Sequence, residues 1–561
     1  MDRIRTGRQK IISVKFNNRD YTVSGGATIL EASLETQKLA QEYRRVRIPT
    51  LYYLKGVVDI DESGVCMVEA DGEIVNASTT RIAEGMEIQT MTPRLVEVRK
   101  KALAEILKIH NKECLYCFRN TTCELQDLLQ EYGFTDEPSL KKENLETIDL
   151  ASKVLIRDNN KCIRCKRCIN VCAKMQAVSA ICATGEGLDT VIAPASLGGL
   201  AAASCVNCGQ CVAVCPVGAL TEKDQISEVT DALADPDKYV VVQTAPAVRA
   251  AIAESFQFPV GIDSEGRLAG ALRQLGFDKV FDTKFGADLT IMEEVQELTD
   301  RIKNGGVLPM FTSCCPGWIK YAEHFYPEML DHISTCKSPH MMEGAMIKSW
   351  FAQKEGIDKS KIVVVSVMPC TAKKFEISRE EMAGDVDIVI TTNELAKMIA
   401  DAGIQFEAID PREKFDDPFG FGSGAGVIFG HTGGVMEAAV RTVKEKMPEL
   451  NLKTVTVSGL ANANALLQKV KRGEESYDFI EIMACPGGCV NGGGQPHHNA
   501  LENAVTDIPV ARAEALNEND SRSSVHVSCE NPDIIRLYKE FLGQPCGELS
   551  HKLLHTGYKY R

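Results

Sequence analysis

The sequence predicts a multidomain chain of mixed α/β and α+β class, in which small cysteine-bearing modules precede one large α/β domain. Three observations predict it. The chain has 561 residues, room for three or four domains at about 150 residues each. Most of its 21 cysteines fall in tight clusters along discrete stretches of chain. From about residue 235 to roughly residue 512, strand-like and helix-like segments alternate, as in a sheet covered by helices.

Composition narrows the function classes. With 44% hydrophobic and 25% charged residues, the chain is globular with ample core. A net charge of −14 disfavours nucleic acid or an anionic membrane surface as partner. No window of about 18 apolar residues occurs, so no membrane span is expected. The start, MDRIRTGRQKIISVKFNN, lacks an apolar signal core. A cytoplasmic, reducing setting is therefore expected, where clustered cysteines ligate metal rather than pair as disulfides.

Residues 1–97 read as a small β-rich domain. IISVKFNN and RDYTV predict a hairpin whose loop carries Asn17, Asn18 and Arg19. Thr28 to Tyr43 predicts a helix, apolar at Ile29, Leu30, Leu34 and Leu39. With IPTLYYLKG and VCMVEADGEIVNASTTRIAEGM following, the order resembles a plant-type [2Fe–2S] ferredoxin domain of β-grasp type. The resemblance places that family's four ligand positions on Tyr52, Ser63, Cys66 and Ser78. One cysteine cannot hold a cluster that needs four protein ligands. The domain is expected to be degenerate, lacking its [2Fe–2S] cluster and kept for structure or docking.

Residues 98–150 form the next module. A helix from Pro93 to Ile109 leads into His110-x3-Cys114-x2-Cys117-x5-Cys123. One imidazole and three thiols suit tetrahedral Zn²⁺ as well as a cluster. The spacing and position resemble the histidine-ligated [4Fe–4S] motif of iron-only hydrogenases and of the large iron–sulfur subunit of respiratory complex I. Residues 124–150 read as a polar, solvated connection.

Residues 151–228 carry Cys162-x2-Cys165-x2-Cys168-x3-Cys172 and Cys205-x2-Cys208-x2-Cys211-x3-Cys215-Pro216. This is the bacterial 2[4Fe–4S] ferredoxin pattern, in which the fourth cysteine of each run ligates the other cluster. Cys162, Cys165, Cys168 and Cys215 are assigned to one cluster, and Cys205, Cys208, Cys211 and Cys172 to the second. TVIAPASLGGLAAAS between them reads as packing and turns, and Cys182 as an ordinary buried thiol.

Residues 229–561 are the large α/β domain. YVVVQTAPAVRAAIAE reads as strand then helix. Three strand-like runs, Val307 to Phe311, Ile362 to Val367 and Phe479 to Met483, end in cysteine loops, where open α/β sheets place ligands. Cys315, Cys370, Cys485 and Cys489 can bind one [4Fe–4S] cluster. The adjacent Cys314 cannot easily join Cys315, because neighbouring side chains point different ways, so a spare thiol stands beside a metal site. The tail reads as a helix with a short capping segment, and Cys529 and Cys546 as isolated thiols. The glycines after Cys489 follow a metal ligand and open no βαβ unit, so no dinucleotide fingerprint is present.

FTSCCPGW, VMPCTAKKFE and IEIMACPGGCVNGGGQP resemble the signature motifs of [FeFe] (iron-only) hydrogenases, and the resemblance covers nearly the whole chain. It implies an H-cluster: the [4Fe–4S] cluster plus binuclear iron with CO, CN⁻ and a bridging azadithiolate, joined through Cys489. It implies reversible proton reduction to H₂, three accessory [4Fe–4S] clusters, maturation proteins, and ferredoxin or partner redox subunits as electron donor or acceptor. It assigns Lys373, Pro246 and Ala247 to the cyanides and Met368 and Met483 to the walls. Cys314, Glu294, Ser334 and Glu297 match its proton relay. From the residues alone, Glu294 and Glu297 would read as solvated helix surface and Cys314 as a buried thiol. Pro486 stands where many monomeric members have His, in a form more like members of NAD(P)-linked or bifurcating complexes. Alternatives are a low-turnover H₂ sensor of the same family, an electron-relay subunit, and a non-enzymatic relative in iron–sulfur assembly.

Overall fold

A computed structural model describes residues 11–40, 46–134, 148–185 and 190–560. The N-terminal hairpin forms as β1 (Ile11–Phe16) and β2 (Arg19–Ser24), paired antiparallel with Phe16 opposite Arg19. Arg19 thus opens β2, and the turn is Asn17-Asn18. Both have positive φ, 50° and 65°, which Asn tolerates and a two-residue type I′ hairpin requires. The helix Ile29–Ala40 crosses a sheet completed by β3 (Met67–Ala70), β4 (Glu73–Asn76) and β5 (Glu87–Gln89). The strand order is β2-β1-β5-β3-β4, with β1 and β5 parallel. The part of the expected helix beyond residue 40 lies outside the described residues.

The helix Pro93–Leu107 is capped by Thr92, whose hydroxyl accepts from the Leu95 N–H, with proline in the first turn. The expected connection after Cys123 begins instead as a helix, Glu124–Glu131. Leu125, Leu128 and Leu129 are buried at the i, i+3, i+4 spacing that makes a helical face, a pattern the charged composition obscured. The rest of that connection, 135–147, lies outside the described residues. The ferredoxin-like module pairs β6 (Leu155–Arg157) with β9 (Leu220–Glu222). β7 (Ile181–Thr184) pairs with β8 (Val191–Pro194), so the stretch read as turns contains a strand.

The large domain holds two parallel sheets, not one. The first has β10 (Tyr239–Thr244), β11 (Lys279–Asp282), β13 (Ile362–Met368) and β14 (Ile388–Thr391), in the order β11-β10-β13-β14. The second has β12 (Met310–Phe311), β15 (Thr454–Ser458) and β16 (Phe479–Met483), in the order β12-β16-β15. All pairings in both are parallel. β14 and β16 are buried at every position, as expected of strands covered on both faces. β12 is shorter than the run Val307 to Phe311 because Pro309 has no N–H for the ladder. The helix expected after β10 forms as a short α-helix, Pro246–Arg249, followed by a 3-10 helix, Ile252–Phe256. The tail contributes the helices Ile508–Arg522, Pro532–Leu537 and Glu548–Leu554. Among the described residues no helix is long and apolar enough to cross a membrane.

Candidate active site and metal centres

The C-terminal ends of β10, β12, β13 and β16 converge from the two sheets on one apolar cavity of about 80 Å³. Cys315, Cys370, Cys485 and Cys489 line it together with Cys314, Lys373, Pro246, Ala247, Met368 and Met483. Burial opposes ionisation of all four prospective ligand thiols. It pushes Cys370 up to about 12, with Cys315 adding to the effect. Thiols so placed become thiolates only around a cation. The chain around them leaves room for a bulky group. A Cβ on Gly492 would come within 2.1 Å of the Pro369 carbonyl oxygen, so only glycine lets the Cys489 loop lie against the Cys370 loop. Four thiols on one dry cavity fit an iron–sulfur centre.

Lys373 donates from Nζ to Glu376 Oε2 at 2.7 Å and to the Cys314 carbonyl at 3.1 Å. Burial works against its charge, but Glu376 outweighs this and the ammonium is held above its ordinary value. Glu376 is in turn met by His340 Nε2 at 2.7 Å, while His340 Nδ1 meets Ser366 Oγ at 3.1 Å. Burial and Lys373 lower His340 to about 4, so a neutral imidazole donates to the carboxylate. Gln495 fixes the opposite wall, donating from Nε2 to the Ala247 carbonyl at 2.8 Å while accepting from Thr392. His340 lies in no quoted motif, and Glu376 and Gln495 lie inside two of them, but their roles were not readable from sequence because each acts through tertiary contact.

Behind Cys314 lies a line of acidic and hydroxyl groups. Glu294 is 1% exposed, and among the described residues no well-formed hydrogen bond reaches either carboxyl oxygen, although Ser334 and the Ser313 backbone lie close by. Burial, with the neighbouring Glu297, pushes its carboxyl up to about 8, and Cys314 stands near enough to feel its charge. Ser334 donates to Glu297 Oε2 at 3.0 Å. Arg301, one turn beyond Glu297 on the helix Lys284–Asn304, clamps Glu297 Oε1 from Nε and Nη2 at 3.1 and 2.6 Å. The solvated-surface reading of Glu294 fails because that helix is buried on nearly every side from Lys284 to Val295.

The other cysteine runs gather as their spacing predicts. Cys162, Cys165, Cys168 and Cys215 line one cavity, and Cys172, Cys205, Cys208 and Cys211 a second. His110, Cys114, Cys117 and Cys123 line a third. His110 donates from Nδ1 to the Lys161 carbonyl at 2.8 Å and burial lowers its pKa, leaving a neutral Nε2 for a metal. The modules are bonded to one another at their ligand loops. Lys161, which receives His110, precedes Cys162. Thr371 donates to the Asn207 carbonyl at 2.7 Å, and Gln210 to the Asn491 carbonyl at 2.9 Å. A Cβ on Gly493 would meet Gly209 Cα at 2.5 Å and the Cys208 carbonyl at 2.6 Å. Gly493→Ala is therefore expected to cost about 1–3 kcal/mol by overpacking and to lower the thermal midpoint of the iron-loaded protein.

In the N-terminal domain three of the four positions of the ferredoxin resemblance, Tyr52, Ser63 and Ser78, make hydrogen bonds. The Asp61 carboxylate accepts the N–H groups of Leu51, Tyr52 and Tyr53 at 2.8, 3.1 and 3.2 Å and also the Ser63 hydroxyl. Ser78 Oγ accepts the Asp61 N–H at 2.9 Å. Tyr52 donates to the Ile163 carbonyl at 2.6 Å, and Cys66 is fully buried. Cys546, read as isolated, has neighbours brought by the fold: its N–H donates to Glu293 Oε2 at 2.6 Å, beside His555.

Five family models match along the chain. They are the 2Fe-2S iron-sulfur cluster binding domain over residues 9–93, the NADH-ubiquinone oxidoreductase-G iron-sulfur binding region over 99–138 and the 4Fe-4S dicluster domain over 161–219. The C-terminal domain of the iron only hydrogenase large subunit matches 238–493, and the iron hydrogenase small subunit 506–561. The NADP-reducing hydrogenase subunit HndD of Solidesulfovibrio fructosivorans is 42% identical, over 98% of this chain and 99% of that one. Iron hydrogenase 1 of Clostridium pasteurianum is 41% identical, over 89% and 93%. An apo [FeFe]-hydrogenase structure from Chlamydomonas reinhardtii is 40% identical with a TM-score of 0.53, covering 60% of this chain and 99% of that one. With cysteine loops gathered at one cavity and relatives matched almost end to end, the chain belongs to the iron-only ([FeFe]) hydrogenase family of enzymes, preceded by iron–sulfur relay domains.

Proposed function

We propose that this chain catalyses 2H⁺ + 2e⁻ ⇌ H₂ at the cavity lined by Cys315, Cys370, Cys485 and Cys489. Cys315, Cys370, Cys485 and Cys489 would hold the cofactor, a [4Fe–4S] cluster with a binuclear iron unit bearing CO, CN⁻ and azadithiolate, which would supply the redox chemistry. The observation that carries the reading is the fifth thiol, Cys314, on the cavity wall with a buried Glu294 behind it. A storage or relay site has no use for that pair. Cys314 holds the proton at Sγ, Glu294 reloads it, and Ser334 and Glu297 connect Glu294 outward. Lys373, kept cationic by Glu376, would donate to one cyanide of the bound cofactor, and the Pro246–Ala247 backbone on the cavity wall would face the other. Met368 and Met483 exclude water with polarizable surface.

The His110, Cys162 and Cys205 sites would each hold an accessory [4Fe–4S] cluster and would relay electrons in that order, along the bonded loops. Leu115 and Tyr116, between two ligands of the first, are 86% and 90% exposed and offer a partner redox protein or ferredoxin an apolar landing beside it. The end-to-end match to a subunit named NADP-reducing and the Pro486 form favour a nicotinamide-linked, cytoplasmic assembly. Dedicated proteins would build the cofactor. The N-terminal domain, its loop filled by Asp61 and docked through Tyr52, serves structure. Its expected outcome is no [2Fe–2S] signal in electron paramagnetic resonance of the reduced, mature protein.

The pH dependence of H₂ evolution tests the relay. Glu294 must be protonated to pass a proton inward, so turnover should fall as pH rises through about 8. Burial raises the folded value above the ordinary 4.5, so the folded chain binds the extra proton between those values. The associated stability is complete below about 4.5 and lost as pH rises through about 8. A pH–rate profile flat across that range would contradict the assignment.

A further inference from the structure

Glu293 precedes Glu294 on the same helix but faces elsewhere, since consecutive helical residues do not share a face and i, i+4 residues do. Glu293 and Glu297 together meet the C-terminal tail and the 334–336 loop. Donor atoms of Glu293, Cys546 and His555 lie within 4.8 Å of one another, as do those of Glu297, Cys336 and His555. His555 belongs to both groups. Glu293 and Cys336 are fully buried and His555 is 7% exposed.

With one assignment of the His555 protons, the hydrogen bonds leave a position that admits a cation. Thr335 Oγ1 lies 3.1 Å from Glu297 Oε2 and 2.7 Å from His555 Nδ1. A hydroxyl has one proton. Given to the carboxylate, it leaves Oγ1 to accept from His555 Nδ1–H. His555 Nε2 then presents its lone pair to Glu293 Oε2, 3.0 Å away, an oxygen that already accepts the Cys546 N–H. Two lone pairs at that separation repel unless a proton or a metal ion lies between them. The surrounding donors are an imidazole held through its other nitrogen, a thiol and a carboxylate. That set suits a tetrahedral Zn²⁺-class ion with one position open to water.

We propose that Glu293, Cys546 and His555, with Glu297 and Cys336 alongside, form a binding site for one divalent cation of the zinc class at the outer end of the acidic line. Binding replaces the shared proton and releases the Cys546 thiol proton. With Glu297 drawn to the ion, Ser334 loses its acceptor and proton passage stops. This effect on turnover rests on the relay proposed above; the binding does not.

The test titrates Zn²⁺ into the mature, fully iron-loaded enzyme under anaerobic conditions. Retained zinc, its X-ray absorption edge and H₂ evolution are followed. The expected result is about one retained zinc per chain with sulfur and nitrogen or oxygen neighbours, unchanged iron content, and inhibition reversed by a chelator. Cys546→Ser and His555→Gln should each raise the zinc needed by at least about 10-fold, since even outer-shell partners act on that scale. If one variant fails to load iron, the other carries the comparison. No retained zinc, zinc that displaces iron, or equal retention in an iron-loaded variant would overturn the site. Zinc bound with the stated neighbours but without inhibition would support the site and contradict the relay through Glu297.

Discussion

Cys314→Ala and Glu294→Gln are each expected to cut H₂ turnover by about 10²–10⁴-fold, the usual contribution of a positioned acid–base group, while leaving iron content unchanged. The two sites differ in kind. Cys314 is the one cavity thiol not assigned to iron, so alanine removes a proton carrier and no ligand. Glu294 has no well-formed hydrogen bond on either oxygen among the described residues, and the isosteric glutamine removes the titrating proton with almost no change of shape. Near-normal turnover in both variants, measured on protein with wild-type iron content, would eliminate the relay.

The second large effect is structural and falls on the Cys489 loop. Arg512, 1% exposed, donates to the Val490 carbonyl at 2.8 Å and the Pro496 carbonyl at 3.2 Å. It also meets both oxygens of the buried Glu254, at 2.9 and 2.5 Å. One guanidinium from the helix Ile508–Arg522 thus clamps the two ends of the loop that follows the ligand. Arg512→Ala leaves Glu254 buried with only His498 beside it. Removing one partner of such a pair typically costs about 3–5 kcal/mol. The expected outcome is a lower unfolding midpoint and loss of iron from the Cys489 site before the ferredoxin-like sites. Arg512→Lys should recover only part, since an ammonium cannot span the fork.

Much of this was legible in the sequence where chemistry is written in spacing. The two ferredoxin runs exchange their fourth cysteines between two cavities, and the His110 run and the three cysteine loops each gather at one. The Asn17-Asn18 hairpin and the helix Pro93–Leu107 follow from local turn and cap chemistry. What was not legible depends on distant contact. Alternation of segments predicts an α/β domain but does not tell one sheet from two, because β12 is only two residues long and β13 pairs with strands from other regions of the chain. Glu294 reads as surface because its helix has charges at intervals, and only the packing from several sides shows that the acid is dry. Arg301, Thr335, His340 and Cys336 belong to none of the quoted motifs, and Glu376 ends VMPCTAKKFE without its role being readable there. Their roles arise when the helix Lys284–Asn304, the 334–340 segment and the tail meet. Cys546 and His555 were unreadable for the same reason, since Glu293 lies more than 250 residues from Cys546.

The central claim is that the five-thiol cavity holds a binuclear iron unit bearing CO and CN⁻ and turns over hydrogen. Infrared spectroscopy of the matured protein under H₂ and then under CO tests it most directly. The account predicts sharp CO and CN⁻ stretching bands that shift between the two gases, and that are retained in Cys314→Ala and absent in Cys489→Ala. A matured, iron-loaded protein without such bands would contradict it.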